Sequence, residues 1–227
     1  MLKKIGIIVL VLAGITIFSC SKDSTSSKET QKPPELHAVP QVSVPDNAPT
    51  EVQTLRTTMT GFFTGPSAFM QFLMSVEPTR SGNEWIWTKQ NNNLTITVKA
   101  KSTNDGRINW QLFLNGTDGF ITYDDWRAVN GYASPDDKSA TWEIYALNDT
   151  TVAANYSWDR DPDGTVESEL ESNSSIINIY NNADGSGKLE HYKNDVLVFE
   201  ASWDAAGSGS WKKYDAEGNL MDQGSWQ

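Results

Sequence analysis

Beyond residue 81, apolar and polar positions alternate in short runs, and this period of two predicts β-strands. Trp85/Trp87, Leu94/Ile96/Val98, Ile108/Trp110/Leu112 and Trp142/Ile144/Ala146 each put their apolar side chains on one face. Thr95/Thr97/Lys99, Asn109/Gln111 and Glu143/Tyr145 fall on the other face, as strands with one buried and one wet side require. Further runs cover 120–123, 152–158, 165–170, 176–180, 189–193, 196–203, 210–214 and 220–226. Turn-formers separate them: Asn104-Asp105-Gly106, Asp163-Gly164, Asp184-Gly185, Asn194-Asp195 and Glu217-Gly218-Asn219.

Before this region the period changes. Val52, Leu55 and Met59 have helical spacing, stopped near Gly61; Pro66 then opens a second helical run with Phe69, Met70, Phe72, Leu73 and Met74, ending before Pro78. About ten strands with one apolar face need a covering layer or closure on themselves. The expected fold is therefore mainly β: a single antiparallel meander forming a curved sheet or barrel, with one or two short N-terminal helices packed on it. A mobile plug or lipid-contacting flap is the alternative use of the Met-rich helical pair.

At the N-terminus, Lys3 and Lys4 precede an apolar run from Ile5 to Phe18, whose 14 residues cover about 21 Å as a helix, short of the roughly 30 Å of a bilayer core. Residues 1–19 read as a signal peptide. Ile17-Phe18-Ser19-Cys20 resembles the lipobox of bacterial lipoproteins, and Cys20 is the chain's one cysteine. The resemblance implies cleavage before Cys20, acylation of that residue, and a membrane anchor in the cell envelope, with Ser21 pointing to the outer membrane. Residues 20–48, rich in Ser, Thr, Lys and Pro and including His37, read as the lipidated cysteine and a flexible linker; 49–227 form the globular β-rich domain.

Composition narrows the function classes. With 18 basic and 29 acidic residues, a net charge of −11 and no basic patch, nucleic acid is not an expected partner. A lone cysteine permits no internal disulfide, and two histidines leave little material for His-based catalysis. Nine Trp, seven Tyr and eight Phe point to an aromatic-rich core. Trp85 and Trp87, on one strand face, are the best candidates for stacking on a sugar, against the competing reading as core; Trp126, Trp158 and Trp226, near turns, are expected to be more exposed.

Two local patterns carry possible chemistry. Asp159, Asp161, Asp163 and Glu167, with Gly164 between them, resemble a calcium loop of the EF-hand type, in which alternating acids converge on a hard cation. Leu170 stands where that family places its bidentate Glu, and a plain hairpin turn accounts for the same residues. Calcium is the one cofactor considered. Gly209-Ser-Trp211, Tyr214, Gly218, Leu220 and Gly224-Ser-Trp226 look like a degenerate MORN-type repeat of stacked β-hairpins over roughly the last forty residues, or else a plain Gly-turn meander. His191, beside Glu190 and Tyr192, lacks any accompanying nucleophile motif and reads as structural or surface. Glu167/Glu169/Glu171 alternate and so point three carboxylates to one side.

With no catalytic constellation, the expected function is a lipid-anchored, non-enzymatic envelope module that binds lipid, glycan or another envelope protein. The alternatives are a lipoprotein-carrier-like half-barrel sheltering an acyl chain, and an acid-based glycan hydrolase.

Overall fold

Val52, Leu55, Met59, Phe62, Met70 and Leu73 keep one helical phase across Gly61 and Pro66; Val52 and Met70 lie 18 residues apart, about five turns. The computed structural model, which describes residues 32–36 and 39–227 without the side chains of 63–69, 71, 72 and 74, shows the consequence. The two expected helices are one, α1 (Thr50–Met74), 25 residues long. The continuous stripe overrides both breakers, and Val52, Met59, Met70 and Leu73 are fully buried. Among the described residues no helix is long and apolar enough to cross a membrane. The signal peptide 1–19, Cys20, residues 21–31 and His37 lie outside the described residues.

Thirteen strands follow: β1 (Thr79–Ser81), β2 (Glu84–Asn91), β3 (Leu94–Ser102), β4 (Ile108–Thr117), β5 (Thr122–Ala133), β6 (Ser139–Tyr145), β7 (Val152–Arg160), β8 (Val166–Ser172), β9 (Ser175–Asn181), β10 (Gly187–Lys193), β11 (Val196–Trp203), β12 (Gly209–Tyr214) and β13 (Leu220–Trp226). Each pairs antiparallel with the next, in sequence order. The meander is as expected, but β1 and β13 remain edges: the sheet is open, and a barrel is not formed. The expected run 120–123 is the start of a longer β5. Its alternation is hidden because Ala128, Val129, Asn130 and Gly131 are all buried, and because register shifts break its ladder with β4.

On β3 alternation and burial agree, whereas Asn109 on β4 and Tyr145 on β6, expected on the wet face, are buried. Leu94, Ile96 and Val98 on β3, Trp110 and Leu112 on β4, and Trp142 on β6 lie in one apolar core with α1. That core also takes in Val42, Val44 and Ala48. The stretch expected as a linker through residue 48 is therefore a linker no further than its first part, since the compact unit begins at Pro34. A pair of hydrogen bonds fixes it: the Ser43 N–H donates to Asn181 Oδ1 at 3.2 Å and Asn181 Nδ2 donates to the Ser43 carbonyl at 2.6 Å.

The turns repeat. In 103–107, 161–165, 182–186, 204–208 and 215–219 the first residue's N–H bonds to the fifth residue's carbonyl, and the fourth residue's N–H returns to the first residue's carbonyl. That fourth residue is Gly106, Gly164, Gly185, Gly207 or Gly218, each with φ between 83° and 91°, a left-handed conformation that favours glycine. A second device recurs across neighbouring strands: Gly131, Gly187, Gly209 and Gly224 lie under the rings of Trp142, Trp203, Trp226 and Trp211, leaving no room for a Cβ. Trp203 and Trp226 then donate Nε1–H to the carbonyls of Gly185 and Gly207.

Candidate functional site

The register lays the polar face out row by row. Asn130 on β5 stands opposite Glu143 on β6, Glu143 opposite Asn155 on β7, and Asn155 opposite Glu171 on β8. One step along, Tyr132, Thr141, Ser157 and Glu169 form the parallel row. Together these eight residues line a groove of about 350 Å³ on the face away from α1.

One side of the groove is a fixed network. Asn109 and Gln111 donate to Asn130 Oδ1 at 3.0 and 3.2 Å. Asn130 Nδ2 donates to Glu143 Oε2 at 2.9 Å, and the Tyr145 hydroxyl donates to the same oxygen at 2.7 Å. Arg127 donates to the Tyr145 oxygen at 2.9 Å and stacks 4.5 Å from its ring centre. The hydrogen bonds from Tyr145 and Asn130, with the Arg127 charge behind them, hold the Glu143 carboxyl below its ordinary pKa. Asn109 and Asn130 are buried and satisfied, so this network is rigid and set by the fold.

The other side is rich in unfilled acceptors. Glu167, Glu169 and Glu171 all project from β8 to the polar face, as their alternation implies. None forms an ion pair with a described residue. Glu171 accepts from Asn155 Nδ2 at 3.1 Å. Partial desolvation, then the neighbouring Glu171 and Glu167 charges, raise the pKa of Glu169. Opposite Glu169 on β9 stands Asn178, whose Oδ1 is buried without a hydrogen-bond partner.

The residues read as a calcium loop occupy the β7–β8 turn. Asp159 and Glu167 face each other across the strands, and burial with the Glu167 and Asp161 charges raises the pKa of Asp159. The carboxylate of Asp163 accepts the Thr165 N–H at 2.9 Å, closing the turn. This is the same turn found at four other hairpins, so the Asp and Gly spacing is accounted for by turn geometry. Among the described residues no group of three or more His, Cys, Asp or Glu is arranged to hold a metal ion.

Trp85 and Trp87 follow the core reading, while Trp158 and Trp226 depart from the exposure expected of them. Trp87 is buried against Trp110, with ring centres 5.8 Å apart, and Trp85 lies under Arg80 at 5.3 Å, so the pair is not a free stacking surface. Trp158 and Trp226 are buried although near turns; for Trp226 the bare Gly209 beneath it makes the space. Trp126 is half-buried and donates to the Ala146 carbonyl at 2.8 Å.

His191 sits at the far end of the core, 8 % exposed, with Nε2 3.0 Å from the Ser175 hydroxyl. It lines a pocket of about 330 Å³ with Glu51, Thr54 and Leu55 of α1 and with Lys193, Val198, Lys213 and Tyr214 of the sheet.

Sequence reasoning found Glu143 and the alternating acids of β8 as polar-face residues. It missed Asn130, Tyr132 and Asn155 as their partners, because adjacency across β5–β8 depends on register that periodicity does not fix. No family model and no curated protein matches the chain.

Proposed function

We propose that this chain is a lipid-anchored, non-enzymatic binding module of the bacterial cell envelope, whose outer groove on β5–β8 takes a glycan. The observation that carries the reading is the acceptor-rich half of the groove. Glu169 and Glu171 line it exposed and without an ion pair to any described residue, beside the fixed amide of Asn130 and Tyr132, whose ring carries the Arg107 guanidinium 5.1 Å from its centre. Such a groove selects a ligand that brings its own hydroxyl donors, as a sugar chain does. The acyl-chain reading is disfavoured because the chain's own helix and tryptophans fill the apolar face. The anchor rests on the lipobox residues ending at Cys20.

Screening on a glycan array, with Glu171→Gln and Tyr132→Ala alongside, tests the ligand. Selective binding weakened by both substitutions is expected; no binding to any glycan, or binding untouched by either, contradicts the reading. Labelling with a palmitate analogue in a bacterial host tests the anchor: label on the chain, lost in Cys20→Ser, is the expected result.

A further inference from the structure

The pocket at the N-terminal end of α1 differs in charge from the rest of this acidic molecule. Lys193 forms no ion pair with a described residue, and Lys213 reaches Glu51 at only 3.5 Å. The two lysines and Glu51 sum to one positive charge within a chain of net charge −11. His191 lines the same pocket. Its Nε2 is held by Ser175, and its Nδ1 has no hydrogen-bond partner among the described residues. Burial, then the Lys193 charge, lowers the His191 pKa and so favours the neutral imidazole. The contact with Ser175 fixes the orientation of the ring, whichever of the two atoms donates. Leu55 and Val198 supply apolar lining, and the Tyr214 hydroxyl is occupied by Glu200 at 2.7 Å.

We propose that this pocket binds a small monocarboxylate with a short apolar tail, its carboxylate between Lys193, Lys213 and His191 and its tail against Leu55 and Val198. The single net positive charge of the pocket balances one negative charge and not two. The volume, about 330 Å³, is at the small end of ligand pockets. A charge-assisted hydrogen bond from a lysine accounts for about tenfold in affinity.

The test is calorimetric titration of the full chain with hexanoate, with hexanol and inorganic phosphate as comparisons. Saturable 1:1 binding of hexanoate is expected, with hexanol and phosphate each at least about tenfold weaker. Lys193→Gln should weaken hexanoate about tenfold, while Lys138→Gln, in the β5–β6 turn, leaves it unchanged. The proposal is overturned by absence of hexanoate binding, by hexanol binding as tightly, or by full affinity in Lys193→Gln. Amide NMR shifts centred on Glu169 and Glu171 instead of His191 and Leu55 would overturn it equally, by assigning the binding to the outer groove.

Discussion

Single residues in this protein are fixed by what they lie against. Gly209 is bare because the Trp226 ring rests on it, and Trp226 in turn closes its Nε1–H on the Gly207 carbonyl. Gly209→Ala should therefore destabilise the fold by roughly 1–3 kcal/mol, as overpacking does, read as a lower urea midpoint. Gly82, over open space with the left-handed φ of a turn, makes a poor comparison; the informative one is Trp226→Leu in the Gly209→Ala background, which relieves the clash and should recover part of the loss. Glu169 shows the opposite relation between residue and surroundings. Its pKa is raised, so the folded state favours its protonated form. Its ionisation therefore costs stability at neutral pH, and that cost disappears as pH falls through the folded pKa. Because the side chain stays largely in solvent, Glu169→Gln should raise stability at pH 7 by less than about 1 kcal/mol, with no gain at pH 4. A thermal midpoint measured at both pH values checks the sign.

At the scale of elements, sequence and structure agree best where one face is fully buried and the other wet, as on β3. The alternations of β3 and β4 were legible because Thr95, Thr97 and Gln111 sit on a solvated face. β5 was not, since four consecutive residues from Ala128 to Gly131 are buried and no period survives. The helix was misdivided for a related reason: Gly61 and Pro66 read locally as stops, while the stripe they interrupt is continuous and anchored by packing. Pro66 has no N–H to bond the Phe62 carbonyl, so Pro66→Ala should stabilise the domain by about 1–3 kcal/mol, measured by chemical unfolding. The stretch 34–48 shows how composition misleads. Its prolines suggest a spacer, yet Val42 and Val44 are 6 % and 5 % exposed. A chain beginning at residue 49 should lose several kcal/mol against one beginning at residue 34, since each buried valine contributes about 1.5–3 kcal/mol.

For the whole molecule, one core joins α1, the 34–48 stretch and strands from β2 to β13. Thirteen strands laid flat would span about 60 Å, while a 25-residue helix is about 37 Å long, so a shared core requires the sheet to twist and curl about the helix. Whether such a curl closes depends on edge pairing, which alternation does not encode; that is why barrel and open sheet were equal readings of the sequence. The same curl sets the polar face outward as a continuous surface on which Asn130, Glu143, Asn155 and Glu171, distant in sequence, become one row. Pairs of like residues at such positions were visible beforehand only as a solvated face. The direct test of the groove is amide NMR of the domain 34–227 titrated with neutral tetrasaccharides such as maltotetraose and chitotetraose. Saturable shifts at Asn130, Tyr132, Glu143, Asn155, Glu169 and Glu171, suppressed in Glu171→Gln, are the expected result; a spectrum unmoved by these sugars, or shifts confined to other faces, would contradict a glycan site there.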